Sequence, residues 1–398
     1  MSTRVSTAED GPGGGTAYDA VVVGGGLIGL VTAWRAAGRG LRTAVADPRP
    51  GGGAALVAAG MLAAVTELHH GEERLLEPAL ASAARWPDFA AELAEVTGTD
   101  VGHRSCGTLQ VALDADDRAQ LRESQLLQER HGLGTRWLTG RECRRLEPML
   151  APGVRGGLRV DGDHQADPRR LVAALLTACE RAGVTLHRSA AVRLTVAGDR
   201  ATGVVLADGT RLVAERTVLA GGSRSGELAG VPPGVAVPVR PVKGQILRLR
   251  MPRARPPFLS RTVRAVVRGE QVYLVPRVSG ELVLGATVEE RGWDTEVTAG
   301  GVYGLLRDAH ELLPGLTELP LVEARAGLRP VSPDNAPLLG PTALPGLLLA
   351  TGHGRNGVLL APLTGDALAD TLTTGELPGE ARPFAARRFS RDHREVPV

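Results

Sequence analysis

Residues 18–47 read YDAVVVGGGLIGLVTAWRAAGRGLRTAVAD. Tyr18 to Val23 is a short apolar, β-rich run, Gly24 to Gly29 a tight turn, and the alternating Ala/Leu/Trp segment to Arg39 a helix. A second apolar strand, Leu41 to Ala46, ends at Asp47, eighteen residues after Gly29. Strand, turn, helix and strand make a βαβ unit, and each glycine has its own physical task. Gly24 allows the turn, Gly26 lets backbone N–H groups approach a pyrophosphate, and Gly29 lets helix and strand pack closely. Asp47, at the end of the second strand, is placed to accept hydrogen bonds from a ribose diol. The pattern predicts nucleotide binding, with a glycine-rich packing turn as the alternative.

Outside this stretch the composition sets limits. The 398 residues exceed one typical domain, so two domains or one large α/β domain with an insertion are expected. A net charge of +2 gives no polyanion signal, and nucleic acid is not an expected partner. Cys106, Cys143 and Cys179 lie far apart, without CxxC or metal-ligand spacing, so neither a disulfide framework nor a metal site is expected and a cytoplasmic location fits. The opening MSTRVSTAEDGPGGG lacks an apolar core and reads as a flexible tail. Glycines and charges interrupt every apolar segment, so no membrane span is expected.

Further along, Asp167-Pro168 with Leu171, Leu175 and Ala178 up to Gly183 predicts a capped helix. Strands follow at 184–186 and 191–196, then a hairpin at Ala207-Asp208-Gly209 and the run Thr217-Val-Leu-Ala-Gly-Gly222. Pro238 to Leu284 reads as long strands, and Val302, Leu305, Leu306, Ala309, Leu312 and Leu313 mark a covering amphipathic helix. The strand 346–350, the turn TGHGRNG (351–357) and a helix from about Val358 to Thr374 return to βα order.

Six segments together resemble the glycine oxidases, flavoproteins of thiamine (thiazole) biosynthesis in the D-amino-acid oxidase and sarcosine oxidase superfamily. They are VVVGGGLIGL, AAGMLAA (58–64), RPVKGQ (240–245), VYLVPRVSGELVLGAT (272–287), RAGLRPVSPDNAPLLG (325–340) and TGHGRNGVLLAP (351–362). The resemblance implies an α/β fold: an FAD-binding Rossmann-type domain with a second, substrate domain built on an antiparallel β-sheet. It divides the chain into a tail (1–16), a discontinuous FAD-binding domain (17–95, 155–235 and 325–398) and a substrate domain (96–154 and 236–324). It also implies a homo-oligomer. Carried over residue by residue, the flavin contacts fall on Leu27 and Ile28, on Asp47 with Pro48 at the ribose, and on Ala59, Gly60 and Met61 beside the ring. Val192 would meet the adenine half, and His353, Gly354, Arg355, Asn356, Gly357, Val358 and Leu359 the isoalloxazine. A glycine-rich turn opening a helix also aims N–H groups and positive dipole at an anionic flavin edge, with Gly352, Gly354 and Gly357 permitting the approach.

The implied reaction takes a hydride from the Cα of glycine, giving an imine that hydrolyses to glyoxylate and ammonia, while O2 becomes hydrogen peroxide. The substrate carboxylate calls for a guanidinium fork, and the family's arginine falls on Arg329. Tyr273 matches the tyrosine that donates a second hydrogen bond to that carboxylate, or is a core aromatic. Met61 matches an apolar residue near the flavin, or packs only. Arg355 either lies against the flavin or closes the pocket. Departures fall on Arg268 and Val288, where the family has tyrosine and methionine, and on Val331, where many relatives have glycine. Arg268 either adds a second cation or points to solvent. The covalent links of some superfamily flavins lack their residues here, so FAD is expected to be non-covalent, and His69 and His70 read as surface residues. Arg248 and Arg250, alternating with Leu247 and Leu249, are expected on a solvated face. Lys243, the single lysine against 45 arginines, is expected to be structural or partner-facing where the chain crosses between domains, with a flavin-side role as the alternative. Two rival functions remain: a dehydrogenase with a non-oxygen acceptor, and a catalytically silent flavoprotein acting as a binding module.

Overall fold

The computed structural model describes residues 16–253 and 257–390; most of the expected tail lies outside them. β1 (Thr16–Val23), α1 (Leu27–Gly38) and β2 (Thr43–Ala46) form the expected βαβ unit, with β1 and β2 parallel. After the two-residue β3 (Met61–Leu62) come α2 (Leu76–Thr97), β4 (Thr108–Ala112), α3 (Ala115–Arg130) and β5 (Thr135–Thr139). Next are α4 (Gly140–Leu146), β6 (Gly156–Val160), β7 (His164–Gln165) and α5 (Pro168–Arg181). The side chain of Asp167 caps α5 by accepting the N–H groups of Arg169 and Arg170, as its Asp-Pro start predicts. β8 (Thr185–His187), β9 (Ala191–Ala197), β10 (Arg200–Leu206) and β11 (Arg211–Leu219) complete the middle of the chain. β12 (Arg240–Arg250), β13 (Thr262–Val267), β14 (Glu270–Pro276), β15 (Glu281–Gly285), α6 (Ala299–Leu312) and β16 (Leu321–Val331) follow. β17 (Leu338–Pro341), β18 (Leu347–Thr351) and α7 (Ala361–Thr374) end the regular structure.

Two eight-stranded sheets organise these elements. The first runs β17-β18-β11-β1-β2-β8, with β10 and β9 folded out from β11, and all pairs from β18 to β8 are parallel. α1, α2, α5 and α7 bury its apolar face. The second runs β16-β12-β15-β14-β13-β4-β6-β5, with α6 lying over its core. It is mixed rather than wholly antiparallel, because β13 and β4 pair in parallel. β16 pairs with β12 from Leu321 to Val331, so the expected boundary at residue 325 falls inside a strand; β6 likewise belongs to the second sheet.

Two further expectations are corrected. The last helix begins at Ala361 rather than Val358, because Gly354–Asn356 forms a separate 3-10 turn that faces the cavity described below. Arg248 is not solvated: it is 2% exposed and paired with Glu281 and Glu323. Alternation of arginine and leucine assigns residues to two faces of a strand. It does not show which face another layer covers: at Arg248 that face is buried, whereas Arg250, at the end of β12, is exposed as expected.

Candidate active site

One cavity of about 940 Å³ runs from the glycine turn to the second sheet. At its first end Gly24, Gly26, Leu27 and Ile28 line the wall. Gly24 has φ +107°, and a Cβ there would overlap the carbonyl of Ala220; a Cβ on Gly29 would overlap the carbonyl of Gly24. Gly29 itself faces the packing between helix and strand and does not line the cavity. The front of α1 has no side-chain cap, which leaves its first N–H groups for a ligand anion. The Asp47 carboxylate is held at the cavity wall by the N–H groups of Gly25 and Arg49, both at 2.7 Å. An extended dinucleotide fits these residues: backbone donors for a pyrophosphate, then a fixed acceptor for ribose hydroxyls.

The middle of the cavity is lined by Pro48 and by Ala59, Gly60 and Met61. Gly60 has φ +71°, and a Cβ there would run into the Ala166 carbonyl. The segment is fixed from the second sheet. Buried Arg277, just past β14, donates to the carbonyls of Ala59 and Ala166 and to Gln165, and burial pushes its guanidinium down to about 10. His353, Gly354, Arg355, Asn356, Gly357 and Val358 also line the cavity. Gly354 has φ +54°, whereas Gly357 is helical with φ −60° and needs no special backbone freedom. His353 is 2% exposed, bonds to Thr364 at 3.1 Å, and is pushed down to about 3 by burial. It is therefore neutral, which removes it from the cations available to the site.

At the far end Arg329 and Tyr273 line the cavity together. Arg329 Nη1 donates to the carbonyls of Thr287 (3.1 Å) and Lys243 (3.4 Å), and among the described residues the side chain makes no ion pair. Its guanidinium lies across Gly244, where a Cβ would come within 2.6 Å of Cζ. The Tyr273 ring lies across Gly285 in the same way, with Cε2 2.5 Å from a Cβ placed there. Burial raises the tyrosine hydroxyl above its usual range, against the opposing pull of Arg329, so it is a protonated donor at neutral pH.

Beside this pair lies a compensated network. Glu67 accepts from Arg264 at 2.6 Å and from Arg355 at 2.5 Å, and Arg355 also pairs with Glu72. Burial would raise the Glu67 carboxyl, but Arg264, His69 and Arg355 outweigh it and hold it well below the usual carboxylate range. Buried Asp163 fixes the approach to Glu67 by accepting the N–H groups of Val65 and Thr66.

The cavity thus gathers most of the expected residues, and the exceptions are specific. Val192 stands half-exposed on β9, outside the lining; Leu359 is buried in the first core, its carbonyl accepting from Ser82 and Trp86. Arg268 sits with φ +55° in the two-residue turn between β13 and β14, exposed and paired with Glu311, so it is not a second substrate cation. Val288 is on the cavity rim and Val331 in its wall. His69 lines the cavity rather than lying only at the surface. Lys243 is fully buried and neither partner-facing nor in the lining. Glu67, Arg264 and Arg277 were missed. Arg264 and Arg277 lie in or just beside the strand segment 272–287, but only pairing across more than 100 residues reveals their partners.

Comparison with known proteins gives the family and the fold. The family model described as FAD dependent oxidoreductase (DAO) matches residues 19–371. The glycine oxidase of Geobacillus kaustophilus is 35% identical over 93% of this chain and 97% of its own length. A crystal structure of glycine oxidase from that organism superposes with a TM-score of 0.86, covering 94% of this chain and 99% of that one. The hydrogen cyanide synthase subunit HcnC of Pseudomonas aeruginosa is 33% identical over 96% of this chain and 98% of its own. The bifunctional protein ThiO/ThiG of Synechocystis is also 33% identical, over 94% of this chain but 54% of its own length. The chain, whose cavity begins at a dinucleotide turn and ends at an arginine without an ion pair among the described residues, is that of an FAD-dependent enzyme and belongs to the FAD dependent oxidoreductase (DAO) family.

Proposed function

We propose that the enzyme oxidises a small α-amino acid, glycine first, to its imine, which water hydrolyses to glyoxylate and ammonia, with O2 reduced to H2O2. The single observation that carries this is Arg329, a cavity arginine with no acidic partner among the described residues, beside a protonated tyrosine. Bound FAD supplies the two-electron chemistry, taking the electron pair of the substrate Cα–H bond and passing it to oxygen. The chain's own work is binding and orientation. The Arg329 fork takes the carboxylate bidentately and Tyr273 donates to it, which fixes where Cα lies. Arg264 and Arg355 are neutralised by Glu67 and Glu72 and do not compete for the same carboxylate. Met61 supplies an apolar lining residue and Val288 part of the rim; the family likeness favours glycine, sarcosine or D-alanine as substrate.

Anaerobic addition of glycine, sarcosine and D-alanine, followed at the flavin band near about 450 nm, tests the reading. Glycine should bleach the flavin, and readmitted air should restore it with formation of peroxide. FAD-loaded protein that none of the three bleaches would sink the proposal. Peroxide must be measured, since a relative 33% identical carries the name of a hydrogen cyanide synthase subunit. We further propose a role in thiamine thiazole biosynthesis, in line with the ThiO/ThiG likeness, and a homo-oligomeric, cytoplasmic protein with three free cysteines. No cysteine lines the cavity, and acid precipitation should release intact FAD.

A further inference from the structure

Between β15 and α6 the chain runs through residues 286–298 without regular structure, and from Glu290 to Gly300 every residue is exposed. This strap forms one rim of the cavity through Val288 and Glu290. Its tethers converge on two buried residues of β12. Lys243 exchanges both backbone hydrogen bonds with Glu289, and its ammonium lies 2.6 Å from Asp294 and 3.8 Å from Glu289. Gln245 bonds to Glu289 at 2.8 Å and to both the N–H and the hydroxyl of Thr298. Arg329 donates to Thr287, inside the strap, and to Lys243 itself. The same two segments that Lys243 joins therefore supply both carbonyls that aim the arginine.

We propose that Lys243 is a positioning residue for the substrate anchor: its ammonium latches the 287–298 strap to β12, and the latched carbonyls of Thr287 and Lys243 hold the Arg329 fork toward the cavity. This rests on the reading of Arg329 as the carboxylate anchor. The residue type fits the task. Lys243 is 0% exposed, and its ammonium stands between two carboxylates, where a compact ammonium with three rotatable donors fits and a planar guanidinium needs more room. At the other 45 lysine-or-arginine positions of the chain the residue is arginine.

The test uses FAD-loaded protein, glycolate as a carboxylate probe with no amine to oxidise, and two variants, Lys243→Met and Asp294→Ala. In both, FAD content should match wild type, while the glycolate dissociation constant and the KM for glycine rise about tenfold, the scale of one mis-aimed hydrogen bond. Slow oxidation of a simple amine without a carboxylate should keep its rate, which a merely structural defect would not spare. Asp294 is at the surface, so Asp294→Ala carries the test if Lys243→Met does not fold. An amine-reactive reagent mapped by mass gives a second readout: Lys243 should be modified slowly, and more slowly still with glycolate present. If the Asp294→Ala protein binds glycolate as tightly as wild type, the latch is overturned. Wild type that binds glycolate but is not reduced by glycine sinks the functional reading, leaving the glycolate comparison to decide the latch. Wild type that binds no glycolate overturns the latch outright.

Discussion

At the end proposed for the nucleotide, the cavity is lined by Gly24, Gly26 and the opening of α1, with the Asp47 carboxylate held beside them by backbone N–H groups. At the substrate end the wall is side chain: Arg329 and Tyr273 each lie over a glycine of a neighbouring strand, and four further charged groups cancel beside them. Glycine thus serves two unlike purposes in one site. In the first turn it meets conformational and helix-packing demands; at Gly244 and Gly285 it makes room for another residue's side chain. Damage at the first end should appear in cofactor retention, and damage at the second in substrate binding.

The largest expected effect is at Gly29. Gly29→Ala puts a methyl into the Gly24 carbonyl, so α1 must move off β1. Overpacking of this kind costs about 3 kcal/mol or more, and the purified variant should melt early and lose FAD on a desalting column. Arg329→Lys should weaken glycine binding by about 2–4 kcal/mol through loss of paired, charge-assisted hydrogen bonds. FAD content should be unchanged and oxidation of a simple amine nearly indifferent; unaltered glycine kinetics would remove Arg329 as the anchor. Gly244→Ala sharpens the comparison, because it alters no ligand-contacting side chain yet crowds the Arg329 guanidinium. A KM increase equivalent to about 1–3 kcal/mol with FAD retained is expected; loss of FAD instead would mean the two ends are not separable. Asp47→Ala should do the reverse, weakening FAD by about 1.5 kcal/mol with the order of preferred amino acids unchanged.

The smallest effect concerns pH. His353 titrates near its ordinary 6.5 when unfolded but is pushed down to about 3 in the folded protein, so the unfolded chain binds the proton first. Stability from this residue is full above pH 6.5 and falls as pH drops from 6.5 toward 3. Between pH 7.5 and 5.5 the loss is about 1 kcal/mol. Thermal melts of wild type and His353→Asn at the two pH values check it: the variant should show a smaller acid shift.

What could be read from the sequence follows the same division. The turn at Gly24–Gly29 and the acid at Asp47 were legible because a local backbone requirement restricts residue type at fixed spacing. The place of Arg329 in the cavity lining was legible only through its surrounding segment, since one arginine among 45 carries no local mark. The burial of Arg248 and Lys243 was not legible, because an alternating polar pattern does not reveal carboxylates brought from 33 to 75 residues away. For Arg268 the solvent-facing alternative holds, and the sequence could not choose it for a related reason. Its place in a tight turn depends on strand register, which offset counting from Tyr273 does not supply.

The order of strands in the first sheet has a consequence for synthesis. β1 is flanked by β2 and β11, but β18 comes from residues 347–351, and α7, whose Gly365 sits against Val31 of α1, only from 361–374. On the ribosome the βαβ unit emerges first, yet its helix waits for a partner more than 300 residues downstream. At about 5–20 residues per second that interval is on the order of tens of seconds. Throughout it, Leu30, Val31 and Trp34 lack their final cover, so the nascent chain is a natural client for a holding chaperone, and a ribosome stalled before residue 361 should release a chain that cannot retain FAD.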